Sequence, residues 1–366
     1  MMKTAFLLCG GVAGWLAGCG SGAPATGVGG GGGQSLTHGD GGSGSACPPD
    51  ESQCATGAGS GSGSATGTGS GTGSAGGNDA APPGVGLTGG TVSHLYFAST
   101  GDTRPILPAT DLDQTLDYPT AIIDQIFTDM AMLSPQPSFV VTTGDYQYAG
   151  MTSASAAQVG LYMQARAKFP GPVFYGMGNH ECSPLGLTTS NCGEGNADGL
   201  TGNYTTYVST MLAQIQQTKP YYTIKINATD GSWTSKFVFV APNAWDATQQ
   251  SWLTTAMAEA TTYTFVVRHE PTDSNTAPGV TPSETIIAQY PITLEICGHT
   301  HDYSHTGNRV VLGNGGAPLT GGGDYGYGTF LQRSDGAIVV DEVDYKTGGT
   351  DPSFHFVVTP TGQLTM

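Results

Sequence analysis

The sequence predicts an α/β domain with two packed mixed β-sheets flanked by helices, and three observations carry that reading. Between Ser93 and Tyr175, apolar strand-like runs alternate with stretches of helical periodicity, the pattern of neighbouring parallel strands joined by helical crossovers. Five strands stop at short clusters of polar side chains, four of them led by glycine. Beyond Arg309 the chain is rich in strand-like text and glycine turns, enough to complete a second sheet packed on the first.

The elements follow in order. Residues 93–98 form the first strand, which stops at Gly101-Asp102. Residues 116–132 place Ile122, Ile123, Ile126, Phe127 and Met130 at helical spacing, so this helix buries one face. Residues 138–141 are a strand ending at Gly144-Asp145. The helix over 153–169 is opened by Ser153 or Ser155 and stopped by Pro170-Gly171. Val173-Phe174-Tyr175 then leads to Gly178-Asn179-His180-Glu181. Residues 182–202, rich in Gly, Asn, Ser and Thr, read as a long loop on the rim of the site that those residues form. A helix over 204–217 precedes a hairpin of 221–227 and 236–240 around Asp230-Gly231. After a helix over 249–260, a strand over 262–267 ends at His269-Glu270-Pro271, and one over 292–297 ends at Gly298-His299-Thr300-His301. Residues 309–312, 327–332, 337–345 and 353–358 are the strands of the tail.

Composition divides the chain into three. Residues 19–90 are nearly all Gly, Ser, Ala and Thr, with GSGSGSATGTGSGTGSAGG from Gly59. Such text buries too little apolar surface to offset its ordering entropy, so it is predicted to be a flexible tether. Residues 91–366 suffice for one large core. At the other end, Lys3 and the apolar stretch 5–16 look like an export signal over 1–18, too short and too broken by glycine for a membrane span. It ends in Leu16-Ala17-Gly18-Cys19, which resembles the bacterial lipoprotein processing box. That resemblance implies a lipid anchor on Cys19 and a protein exported to the bacterial cell envelope.

The cysteines suit that compartment. Cys47 with Cys54, and Cys182 with Cys192, are close enough for small disulfide loops, while Cys297 reads as a buried hydrophobe. Eleven Lys plus Arg face 28 Asp plus Glu, a balance that makes nucleic acid a poor partner. A small phosphorylated substrate stays possible, because bound cations reverse the local field.

The strand ends carry the chemistry. In α/β proteins, loops at the carboxyl ends of parallel strands converge on one sheet edge, where ligands bind. Here they deliver Asp102, Asp145, Asn179, His180, His269, His299 and His301, and carboxylate and imidazole are ordinary ligands for zinc, iron and manganese. Together they predict a site for two metal ions. Glu181 and Glu270 are expected to orient ligands rather than bind metal. His305 is expected near the site edge; His94, His355 and His38 have no motif.

The set resembles the calcineurin-like metallophosphoesterase superfamily, with an early Asp motif, GDxx, GNH(D/E), a strand-end His and GHxH spread over residues 93–316. The resemblance implies a four-layer sandwich and hydrolysis of a phosphate ester, a monoester ahead of a diester. It places Asp145 between two ions, Asp102 and His301 at the first, and Asn179, His269 and His299 at the second. His180 becomes the proton donor to the leaving oxygen. One position departs from the pattern: most members have Asp-x-His first, whereas here Asp102-Thr103-Arg104 puts an arginine, with no lone pair for a metal, in the histidine's place. Gly144-Asp145-Tyr146-Gln147-Tyr148 resembles the GDxxY pattern of purple acid phosphatases, which would make Tyr148 the replacement ligand and imply iron paired with iron, zinc or manganese. Arg104 is then a candidate for substrate phosphate. The alternative is an exported binding module on this scaffold that does not turn over, and Arg104 is its main support.

Overall fold

The computed structural model of the chain describes residues 84–106, 115–148, 152–273, 276–321 and 323–365. The signal, Cys19, Cys47, Cys54 and most of the expected tether lie outside the described residues. In chain order the elements are β1 (Gly84–Gly86), β2 (Gly89–Val92), β3 (Tyr96–Thr100), α1 (Thr120–Met132), β4 (Phe139–Thr142), α2 (Thr152–Arg166), β5 (Val173–Tyr175) and α3 (Asn179–Cys182). There follow α4 (Gly202–Thr206), β6 (Tyr222–Ala228), β7 (Thr234–Val240), α5 (Ala247–Ala258), β8 (Tyr263–Arg268), α6 (Val280–Ile287) and β9 (Leu294–Cys297). The rest is strand: β10 (Tyr303–Thr306), β11 (Arg309–Leu312), β12 (Gly326–Gln332), β13 (Ile338–Asp344), β14 (Phe356–Val358) and β15 (Leu364–Thr365).

Two mixed sheets result. One is ordered β1-β2-β6-β7-β8-β9-β11-β10, the other β15-β14-β13-β12-β3-β4-β5. Each sheet contains a run of parallel strands, β3-β4-β5 at one end of its sheet and β7-β8-β9-β11 in the other. Phenylalanines lock the sheets face to face. Phe97 stacks on Phe330 at 4.5 Å within its own sheet and meets Phe237 and Phe265 of the other edge-on at 5.0 and 5.2 Å. Each such pair adds about 0.5–1.5 kcal/mol beyond its buried area. On the outer face of β7 and β8, Val238, Val240 and Val266 pack against Leu253 and Met257 of α5 and Ile286 and Ile287 of α6. Helices α1 and α2 meet through Phe127 and Tyr162, and α1 buries Ile123, Ile126, Phe127 and Met130. The layers run helix, sheet, sheet, helix.

Several expectations need correction. The tail was expected to complete the second sheet, but its strands divide between the two. β11 joins β9, whereas β12 to β15 extend the sheet of β3, because β12 pairs antiparallel with β3. The boundary at residue 90 falls inside a hairpin, since β1 pairs with β2 and β2 runs parallel to β6. Helix α1 begins after Pro119, later than expected; proline disfavours helical backbone in the residue before it, and Leu116 is left exposed. The expected helix over 204–217 is α4 running on through a π-helical turn, Tyr207–Met211, and a 3₁₀ turn, Leu212–Ile215. Helix α6 was not expected from its Thr, Ser and Pro text, but Pro282 lies in the first turn, where a missing N–H costs nothing.

Candidate metal centre

The five strand ends meet across both sheets, not at the edge of one. Asp102, Asp145 and the Asn179-His180 pair follow β3, β4 and β5, while His269 and the His299/His301 pair follow β8 and β9 of the other sheet. Backbone hydrogen bonds fasten the ends together: Asp102 N–H donates to Gly144 O at 3.0 Å, Thr103 N–H to Asp145 O at 2.9 Å and Gly298 N–H to His269 O at 2.9 Å. Asp102, Asp145, His299 and His301 have φ of 56°, 61°, 77° and 53°, a left-handed backbone that costs a non-glycine residue about 1–3 kcal/mol. Glycine is needed beside them for space. A Cβ on Gly178 would strike the Asp145 carboxylate, and one on Gly298 the Asp102 carboxylate.

The side chains converge accordingly. His269 Nε2 lies 3.3 Å from Asp145 Oδ1 and 3.8 Å from Asp102 Oδ1, and His301 Nε2 lies 3.5 Å from Asp102 Oδ1. His299 Nδ1 is 3.2 Å from Asn179 Oδ1, because the Asn179 amide donates to Gly186 O at 2.8 Å and turns its oxygen inward. Nδ1 of His269 faces Thr143 O at 3.2 Å and Nδ1 of His301 faces Pro318 O at 2.9 Å. A carbonyl only accepts, so in each ring Nδ1 carries the hydrogen and Nε2 faces the cluster.

The cluster is a candidate cation site. Asp102 Oδ1 and His269 Nε2 are buried without a hydrogen-bond partner. Burial raises Asp102 above the ordinary carboxylate range, against the pull of His269 and His301. Burial works to raise Asp145 too, but His269, His180 and Arg104 hold it well below that range. Burial would lower His269, yet Asp145 and Asp102 push it up to about 10, so the metal-free cluster holds a proton among its carboxylates. Oxygen and imidazole donors around such a point fit a zinc-, iron- or manganese-like ion. Atoms of Asp102, Asp145 and His269 lie within 4.8 Å of one another, all buried.

Comparison with known proteins agrees with this geometry. Residues 104–303, more than half of the chain, match the calcineurin-like phosphoesterase family. The chain belongs to that family. No curated protein matches it by sequence. Among solved structures it is similar to a purple acid phosphatase from yellow lupin (Lupinus luteus) seeds, at 14% identity and a TM-score of 0.52, over 73% of this chain and 54% of the lupin one. It thus spans about half the length of that enzyme. A dimetal phosphatase from Danio rerio aligns at 13% identity and a TM-score of 0.48, over 72% of this chain and 98% of that one. At these identities the likeness concerns the fold. In this calcineurin-like phosphoesterase, Asp102, Asp145 and His269 make a metallophosphoesterase-like active-site cluster.

The other expected residues divide. His180 is buried, its Nε2 3.8 Å from Asp145 Oδ2 and its ring 4.4 Å from that of Tyr148. Tyr148 was expected to ligate the first ion, but the contacts of its ring are with His180 and with Arg104, whose Cζ stands 4.8 Å above it. Glu181 does orient the site: its carboxylate accepts from Asp145 N–H at 2.7 Å, Tyr146 N–H at 2.9 Å and Gly178 N–H at 2.9 Å. Burial and Asp145 push Glu181 up to about 8, opposed by those three donors. Neither buried oxygen of Glu270 has a hydrogen-bond partner among the described residues. His305 is packed on Phe356 at 4.3 Å in the tail rather than at the site edge. Cys182 and Cys192 have Cα atoms 5.4 Å apart, a spacing that suits the expected disulfide, and Cys297 is buried. Sequence reasoning missed Thr143 and Thr320, whereas Gly186 belongs to the 182–202 loop expected on the rim. Thr143 orients His269 through its carbonyl, and Gly186 and Thr320 line the cleft, of about 530 Å³, that opens above Asp145 and His180. No spacing marks a carbonyl or a rim threonine.

Proposed function

We propose that the chain hydrolyses phosphate esters, monoesters ahead of diesters, in the cleft above Asp145. The observation that supports it most is the buried carboxylate–imidazole cluster with unpartnered Asp102 Oδ1 and His269 Nε2, assembled from five strand ends. Asp102, Asp145, Asn179, His269, His299 and His301 are the donors that would hold metal, and their chemistry suits iron, zinc or manganese. A bound cation supplies neutralisation of phosphoryl oxygens and a lowered pKa for water. The number of ions turns on Arg104.

The chain's own groups do the rest. Arg104 offers N–H donors to phosphoryl oxygens from the cleft wall. His180 protonates the leaving oxygen. Burial lowers it to about 3 in the free site, so it enters neutral and takes up from solvent the proton it later donates as the phosphoryl dianion binds beside it and raises that value. The surplus of acids over bases disfavours polyanionic diesters such as nucleic acid. The signal-like start and Cys19 support a protein tethered to the envelope by lipid.

Purified protein is to be analysed for metal and assayed on an aryl phosphate and an aryl phosphodiester. The expected result is metal-dependent release from the monoester, lost in Asp145→Ala. Failure to bind any ion under metal-replete conditions would overturn the reading.

A further inference from the structure

Arg104 occupies the place that the family pattern gives to a metal ligand, and its guanidinium has gone further into the site than a ligand would. Nη2 lies 3.1 Å from His301 Nε2, Nε lies 3.5 Å from Asp145 Oδ2, and Cζ stands over the Tyr148 ring. Asp145, His301 and Tyr148 are three of the four residues that the resemblance assigned to the first ion. The group is held there: Nη1 donates to Pro105 O at 3.0 Å, and the ring of Tyr148 forms a floor beneath the cation. The other half of the site is free of it. Asp145 turns Oδ1 to His269 and Oδ2 to Arg104, and His299 faces Asn179.

We infer that this centre holds one metal ion, in the Asp102–Asp145–His269 cluster on the side of Asn179 and His299, and that the guanidinium of Arg104 stands where a second ion would be. The inference rests on the phosphoesterase reading above and narrows it. Arginine keeps its positive charge and has no lone pair, so it answers the charge of Asp145 while excluding a divalent cation from the same space. Asp145 then bridges an ion and a guanidinium rather than two ions. Tyr148 is a positioning residue for Arg104, which explains why the ring and not the hydroxyl is turned to its partner.

The test is stoichiometry, read without activity. Metal-stripped wild type, Arg104→His, Arg104→Ala, His299→Ala and His301→Ala are titrated with Zn²⁺ by calorimetry, and bound metal is counted after gel filtration. Manganese loading followed by electron paramagnetic resonance reports whether two ions are coupled. One equivalent is expected in wild type, with an uncoupled manganese signal. His299→Ala loses it and His301→Ala keeps it. Arg104→His, which restores the family's histidine, rises to two equivalents with a coupled signal. Two equivalents in wild type overturn the inference and leave the phosphoesterase reading standing. One equivalent in wild type and in both Arg104 variants overturns the role of Arg104. No bound ion in wild type overturns both readings. The wild-type count needs no variant to fold.

Discussion

His180 and Tyr148 touch each other, yet they should fail differently when changed. His180 has Nδ1 buried without a partner and Nε2 turned toward Asp145 Oδ2. Its ring lines the cleft, where it can serve the leaving group, and it approaches Asp145 only to 3.8 Å. His180→Ala is therefore expected to keep its metal and lower kcat by roughly 10²–10⁴-fold, the usual worth of a general acid, with a smaller change in KM. Loss of metal in that variant would show the residue to be structural. Tyr148→Phe keeps the ring under Arg104 and should match wild type in metal content and within about threefold in kcat/KM, under 1 kcal/mol. Loaded with ferric iron, wild type and Tyr148→Phe should have the same visible absorption. A phenolate charge-transfer band present in wild type and lost in the variant would make Tyr148 the ligand that the GDxxY pattern suggested.

At the scale of the element, α3 shows how a helix of one turn can organise a site. Its capping residue is Gly178, and Glu181 reaches back to accept the Gly178 N–H while also taking the N–H groups of Asp145 and Tyr146 from the end of β4. One carboxylate thus ties two strand ends together. Glu181→Gln would turn an NH₂ toward backbone N–H groups, so it should destabilise the fold by about 2–4 kcal/mol and weaken metal binding. A denaturant midpoint equal to that of wild type would refute this. Legibility follows the same division. The ends of β3, β4, β5, β8 and β9 were readable because short apolar runs stop at Asp, Asn or His, with a glycine just before at every end but that of β8. Which sheet each strand joins was not. That choice is made by pairings such as β12 with β3, where Phe330 lies opposite Phe97 over a long sequence separation that no local pattern encodes. The side chain of Arg104 was readable as an absent ligand, but its course to His301 depends on tertiary packing.

The whole molecule carries a formal charge of −17, and part of that acidity is folded inward. Glu342 on β13 is buried, and its Oε1 accepts from Asn314 Nδ2 at 3.0 Å. Burial, helped by Asp344, Asp351 and Asp324, pushes it from 4.5 up to about 8 against that hydrogen bond. The folded chain therefore keeps a proton that the unfolded chain releases. Stability on this account is full below pH 4.5, falls as the pH rises from 4.5 to about 8, and is level above that. With screening by the surroundings the effect is about 1–2 kcal/mol, or several degrees in Tm. Glu342→Gln keeps an oxygen for Asn314 and cannot ionise. At pH 4.5 the two proteins should melt together, whereas at pH 8.5 the variant should melt higher, about 3–6 °C above wild type. Salt should shrink the gap in part, since the aspartates act through screened space while the burial does not. A variant less stable than wild type at both pH values would mean that the ionised carboxylate is the form the fold prefers.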